Sequence, residues 1–212
     1  MATKTTATKT KKKTVTKALK FKDVKKIKIK TIDPDIATQK GLFNEGCYGS
    51  GCNDICCEYG CDVDYASYKL ILKHKKLIEP LIKAKVEDCF STELKVDDDY
   101  IGGGFRETAV RDSDERCAFH LRKKKGCSLF YLWMTKGLTK RLIPTICRTY
   151  PITWHRGHLF VDRPLRSICK CLESSGGKKV PSLYETQKKE VKALFDLPKN
   201  ELSKIEQIVK DK

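Results

Sequence analysis

The residues of this 212-residue sequence best suited to chemistry are its 11 cysteines. Five of them crowd into Cys47-x4-Cys52-x3-Cys56-Cys57-x3-Cys61. Three more follow as Cys117-x9-Cys127-x19-Cys147, and Cys169-x-Cys171 comes last. Soft thiolates a few residues apart on turn-rich backbone are what Zn²⁺ or an iron–sulfur cluster demands, because the chain must curl around one centre. Gly46, Gly49, Gly51 and Gly60 lend the first segment that freedom. Two groups so far apart in sequence must converge in space, and ten thiols are enough for two four-coordinate centres. The adjacent Cys56 and Cys57 diverge on either regular backbone, so they either bridge two centres or divide into one ligand and one packing residue. Cys89 stands apart and is expected to pack as a small hydrophobe.

Disulfides and inert thiols are the other readings of such a set. The compartment argues against the first. Positive charge at the start of the chain is followed by no apolar stretch of the kind a secretory signal needs, and the longest apolar run, Leu129 to Met134, is far short of the ~20 residues of a membrane helix. A soluble, cytoplasmic protein is therefore expected, and reducing conditions there favour metal over disulfides. The histidines carry less weight. Cys117-x2-His120 has ligand-like spacing, but a histidine in such a place is more often structural, as is expected of His74.

The formal charge of +17 is unevenly spread: residues 1–30 hold 12 lysines and one acid, and the other 182 hold 32 basic and 26 acidic groups. Residues 1–30 read as a basic tail, disordered to about residue 18 because it lacks apolar side chains to offset the entropy of ordering. Residues 31–180 read as the metal-binding domain and 181–212 as C-terminal helices packing on it. Within these, Val24 to Ile32 alternates like a short half-exposed strand, stopped by Asp33-Pro34-Asp35. Residues 65–87 read as an amphipathic helix carrying Ile71, Ile78 and Ile82 beside Leu70, Leu77 and Leu81, kinked or broken at Pro80. Asp97 to Gly104 reads as an exposed connection. Ile152–Trp154 and Leu159–Val161 read as a β-hairpin turning on Arg156-Gly157, with His155 and His158 facing each other. Ser182 and Glu185 form a capping box for a helix that buries Val191, Leu194 and Phe195, and Asn200 is expected to cap a last helix. The fold class expected is α+β, small and loop-rich, with peripheral helices around a metal-stapled centre.

The order of cysteine-cluster loop, then CAFH, GCSLF and IPTICRTYP, resembles the YkgJ-type CxxCxxCC family, whose members are described as zinc- or iron-chelating. Its pattern maps onto Cys47, Cys52, Cys56, Cys57, Cys117, Cys127 and Cys147 with Arg148, Tyr150 and Pro151, and the resemblance spans about residues 41 to 190. Here the first motif is C-x4-C-x3-CC, and Ile143 stands where the family carries arginine. The resemblance implies a zinc or iron–sulfur cofactor, with Cys61, Cys169 and Cys171 as further candidate ligands. Some longer relatives are linked to lysine methylation of flagellin through an iron–sulfur centre, which implies a protein-modifying enzyme as an alternative.

Arg148, Tyr150, His155, Arg156 and His158 lie near Cys147 in sequence. They would line a substrate pocket or orient the ligands, and the second is preferred because no nucleophile with a base at motif spacing accompanies them. A third class, weak polyanion or nucleic-acid binding through the lysines of residues 1–30, lacks interleaved aromatic residues or a reader motif.

Overall fold

The computed structural model describes residues 25–39, 41, 54–162 and 181–212. The first two strands and the first helix follow from the patterning before the cysteines. Ile27, Ile29 and Ile32 point inward while Lys28, Lys30 and Thr31 stay outside. The alternation forms two strand fragments, β1 (Ile27–Lys28) and β2 (Thr31–Ile32). Residues 25–30 of the range read as tail thus belong to the described structure; residues 1–24, on which the reading of disorder to about residue 18 falls, lie outside the described residues. The Asp33-Pro34 stop is followed by a single helical turn, α1 (Asp35–Thr38), whose entry is fixed by the Asp35 N–H donating to Asp33 Oδ1 at 2.8 Å.

A 3₁₀ turn over Ile55–Cys57 leads to β3 (Asp62–Asp64), α2 (Tyr65–Lys73) and α3 (Lys75–Ile82). The long helix is interrupted at His74, not at Pro80, which sits inside α3. The carbonyl that Pro80 leaves without an amide partner is that of Lys76, within α3, so the ring does not itself account for the break at His74. Ile71, Ile78 and Ile82 are wholly buried, whereas Leu77 is exposed. Then come β4 (Lys95–Val96), β5 (Gly104–Glu107), α4 (Ser128–Lys136), α5 (Thr145–Thr149), β6 (Ile152–His155) and β7 (His158–Val161). The chain closes with α6 (Leu183–Leu194), β8 (Phe195–Asp196) and α7 (Lys199–Lys210).

The architecture is α+β. β3, β5 and β4 form an antiparallel sheet in the order β3-β5-β4, and β2 pairs parallel with β7 of the β6–β7 hairpin. β1 pairs parallel with β8. The hairpin turns at Arg156 (φ 49°) and Gly157 (φ 79°), and His155 is the register partner of His158, as the sequence indicates. Two left-handed residues match the twist of the strands they join. The Ser182–Glu185 capping box is present, and Val191, Leu194 and Phe195 are buried. Asn200 does not cap α7: Pro198 occupies that position and Asn200 lies one residue inside the helix. Proline's fixed φ suits a helix start without a side-chain cap.

The 97–104 connection is also packed rather than exposed along its length. Ile101 is buried, Tyr100 stacks on Phe105, and Trp154 Nε1 donates to the Asp99 carbonyl at 2.8 Å. Short acidic and glycine-rich composition disguised a loop whose aromatic residue docks on the hairpin.

The buried apolar residues form two clusters. One gathers β1, β2, α1, the hairpin, α6 and α7 around Ile36, Ile152, Leu159, Leu183 and Phe195. The other gathers β3, α2, α3 and α4 around Val63, Ile71, Ile78, Phe119 and Leu129. Asp64 helps to fix the second. Its carboxylate caps α2 by accepting from Ser67 N–H at 3.0 Å, and it also accepts from Thr145 N–H, at the start of α5, at 2.8 Å. A buried carboxylate is tolerable when several donors satisfy it, and here they tie α2 to α5.

Candidate metal centre

Six cysteines line one cavity of ≈ 640 Å³ between the two apolar clusters: Cys56, Cys57, Cys61, Cys117, Cys127 and Cys147. They arrive on different elements. Cys56 and Cys57 end the 3₁₀ turn, Cys61 precedes β3, Cys117 lies on a loop, Cys127 immediately precedes α4, and Cys147 is on α5. Cys56 packs on the first cluster and Cys57 on the second, while their side chains remain in contact with each other. Cys47, Cys52, Cys169 and Cys171 lie outside the described residues. Asp54 and Asp162, which also line the cavity, are the described residues next to the segments that carry them.

Backbone pairing brings the two sequence groups together. The Cys117 N–H donates to the Cys57 carbonyl. Cys61 and Thr108 are joined twice, the Cys61 N–H donating to Thr108 Oγ1 at 2.8 Å and the Thr108 N–H to the Cys61 carbonyl at 2.9 Å. Gly60 makes this possible: it adopts φ +70°, and a Cβ there would stand 2.6 Å from Thr108 Oγ1. His120 and Cys127 form an antiparallel bridge that sets Cys127 beneath α4.

The thiols touch one another. Cys57 is held protonated by its contact with Cys56 and by burial, and Cys117 by its contact with Cys61 and by burial. Contact with Cys117 favours the Cys61 thiolate, but contact with Cys147, burial and neighbouring charge outweigh it and push that thiol up. Burial raises Cys127 to about 12, against the pull of the Leu129 and Phe130 amides at the start of α4. Cys147 rises to about 11: contact with Cys61 lowers it, and burial and the neighbouring cysteines outweigh that. Crowded, buried thiols cannot all ionise without a compensating cation, and a metal ion bound here would displace their protons.

Among the described residues, no group of three or more His, Cys, Asp or Glu side chains is disposed so as to hold a metal ion as it stands. The six thiols are nevertheless soft donors of the kind that Zn²⁺ or an iron–sulfur cluster takes, and they come to the cavity from separate segments. Cys89 stays out of the cavity: it is buried, its Sγ lies 3.4 Å from the Lys85 carbonyl, and burial raises it to about 12.

The histidines are not gathered with the thiols. His120 Nε2 faces Asp54 Oδ2 at 3.2 Å and Nδ1 faces the Leu121 carbonyl at 2.9 Å, so both ring nitrogens are engaged elsewhere. His158 Nδ1 meets Thr31 Oγ1 at 2.8 Å, and neither hairpin histidine nor Arg156 lines the cavity. Arg148 turns to Glu190 on α6, with Nε donating to Oε2 at 3.0 Å, so it braces α5 instead of reaching into the cavity. Tyr150 does line the cavity.

Asp54 is the residue that sequence spacing missed. It adopts φ 59°, its carbonyl accepts from Cys57 N–H at 2.8 Å, and its Oδ2 accepts from Gly126 N–H at 2.8 Å. One side chain thus joins the Cys56–Cys57 turn to the loop before Cys127. Burial would raise its pKa, but the bonds from His120 and Gly126 prevail and hold the carboxyl below the usual range. Asparagine and aspartate are the side chains most often found in left-handed backbone, and the Asn53-Asp54 pair is the signal that was available. Phe119, Leu129, Phe130, Pro144 and Ile146 supply the apolar wall. No family model matches the chain, and no curated protein or solved structure matches it either.

Proposed function

We propose that this chain is a cysteine-cluster metal protein of the YkgJ type that holds zinc or an iron–sulfur cluster through Cys56, Cys57, Cys61, Cys117, Cys127 and Cys147, with Cys47, Cys52, Cys169 and Cys171 as further candidates. One observation carries the reading: six cysteines from separate segments line a single cavity. Independent packing of small hydrophobic side chains would not need to bring six of them to one place. Zinc would supply a structural bond network, and an iron–sulfur cluster would supply electron transfer. The chain's own contribution is to collect the thiols, exclude water with Phe119, Leu129 and Phe130, and fix the loops through Asp54 and Thr108.

The test is metal and sulfide quantitation on protein purified anaerobically. Zinc or iron well above trace, lost in a Cys61→Ala/Cys117→Ala variant, is expected; neither metal above trace overturns the reading. Visible absorbance bleached by dithionite selects the cluster, and colourless zinc-loaded protein selects zinc.

The volume of the cavity supports a second reading. At ≈ 640 Å³ it falls in the range of sites that hold a small organic molecule, more than a single ion needs. We propose, as the alternative, an iron–sulfur-dependent protein-modifying enzyme in a cytoplasmic setting. Turnover with S-adenosylmethionine and cell protein, abolished by Cys147→Ala, is the result expected on that reading. Among the described residues no helix is long and apolar enough to cross a membrane.

A further inference from the structure

The loop Arg122-Lys123-Lys124-Lys125 stands at the rim of the thiol cavity, which Lys125 and Gly126 help to line. All four basic residues are exposed. Their loop is nonetheless fixed at its base. The Leu121 N–H donates to the Gly126 carbonyl at 2.9 Å, His120 and Cys127 form the bridge below it, and Asp54 holds both His120 and Gly126. On one side Arg122 is anchored as well, its Nε donating to the Ile82 carbonyl at 2.9 Å. Lys123, Lys124 and Lys125 have no acidic partner among the described residues. A second concavity of ≈ 510 Å³ runs along this loop and shares Asp54 and Lys125 with the thiol cavity. Its two acids are already engaged, Asp54 by His120 and Asp114 by Arg111.

We propose that this loop is a docking surface for an acidic segment of a partner protein, which it holds at the mouth of the thiol cavity. The proposal deepens the metal-centre reading by naming the kind of partner that would reach it. Each exposed cation gains little from one counter-ion, so a small monovalent anion is held weakly and a multivalent one accumulates contacts. A fixed patch of one sign also steers an oppositely charged protein into encounter. Tyr59, 68% exposed on the same cavity rim, provides the amphipathic aromatic contact that protein interfaces favour. A nucleic acid is the poorer occupant. Tyr59 is the one exposed large aromatic side chain among the described residues, so no stacking platform accompanies the lysines, and the Arg122 fork is turned toward Ile82 and Ser113.

The experiment measures fluorescence anisotropy of a labelled polyglutamate peptide and of a labelled single-stranded oligonucleotide, each of about ten charges, titrated with the full chain at low and physiological salt. Two variants of equal charge change are compared, Lys123→Glu/Lys124→Glu on the loop and Lys199→Glu/Lys210→Glu on α7. Peptide affinity is expected to fall about tenfold in the loop variant and less than about twofold in the α7 variant, with the difference shrinking as salt rises. Equal losses in the two variants would overturn the proposal, because net charge alone would then account for binding. A larger loop-dependent loss for the oligonucleotide than for the peptide would also overturn it, in favour of a nucleic-acid surface. Metal content measured on the same preparations separates the two readings: loop-dependent docking without metal refutes the metal centre alone, and metal without loop-dependent docking refutes the docking surface alone.

Discussion

Asp54 shows how much of a thiol site can hang on a residue that is not a thiol. Its carboxylate holds His120 and the Gly126 amide, and its carbonyl holds Cys57. Asp54→Ala leaves the buried His120 ring and the half-buried Gly126 amide without this partner and is expected to cost about 2 to 3 kcal/mol of stability. If the thiols hold a metal, removing a group that fixes their loops is further expected to weaken its retention by about tenfold or more. Asp54→Asn, which tolerates the same backbone and keeps one acceptor, should recover most of the loss; chemical denaturation and metal competition read the two effects separately. Ser128 makes the opposite case. Its hydroxyl is fully buried at the start of α4 and has no hydrogen-bond partner among the described residues. Ser128→Ala removes an unsatisfied polar group and is expected to raise stability by about 1 kcal/mol in urea denaturation, with metal content unchanged.

At the scale of elements, the site depends on how α5 is seated. Glu190 on α6 accepts from Arg148 and pairs with Lys140 at 2.6 Å, so one carboxylate clamps α5 and the turn before it to α6. Burial alone would raise the pKa of Glu190, but Lys140 and Arg148 prevail and hold it below its ordinary value of 4.5. A folded-state pKa depressed in this way contributes stability that is present above 4.5 and is lost as pH falls through the lower folded value. Wild type should therefore lose stability on acidification below about pH 4.5 more steeply than Glu190→Gln does, while Glu190→Gln is the less stable of the two at pH 7. Thermal unfolding across that range checks the sign; parallel curves would show that the clamp contributes nothing. The helix break at His74 belongs to the same scale. The periodicity of residues 65–87 revealed the buried isoleucine face, but the break fell at His74, six residues before the Pro80 to which the sequence assigned it.

For the whole molecule, the cavity is the junction of two apolar clusters that share few elements, with Cys56 on one side and Cys57, Cys61, Cys117, Cys127 and Cys147 on the other. A metal bound there would join the two cores. Chelation is expected to speed hydrogen exchange in residues 54–61 and 117–130 while leaving the β6–β7 hairpin and α6 protected. Exchange that rises evenly over the chain, or not at all, would show that the cysteines do not act as a staple. If metal is bound, its loss should also lower the melting temperature markedly, since apparent structural zinc binding is worth roughly 10 to 16 kcal/mol in small domains.

Local chemistry settled what the sequence could state by itself. The cysteine spacing announced a thiol site, the left-handed pair Arg156-Gly157 announced the hairpin, and Ser182 with Glu185 announced the start of α6; each is decided by a handful of neighbouring residues. Convergence was beyond it. That Cys61 meets Cys117 and Cys147, that His120 turns to Asp54 and Arg148 to Glu190, and that the 97–104 loop docks on Trp154 depend on pairings dozens of residues apart. Such pairings are chosen by the burial of two apolar cores and by the need of buried polar groups for partners, which the folded chain meets with the Ser128 hydroxyl as an exception.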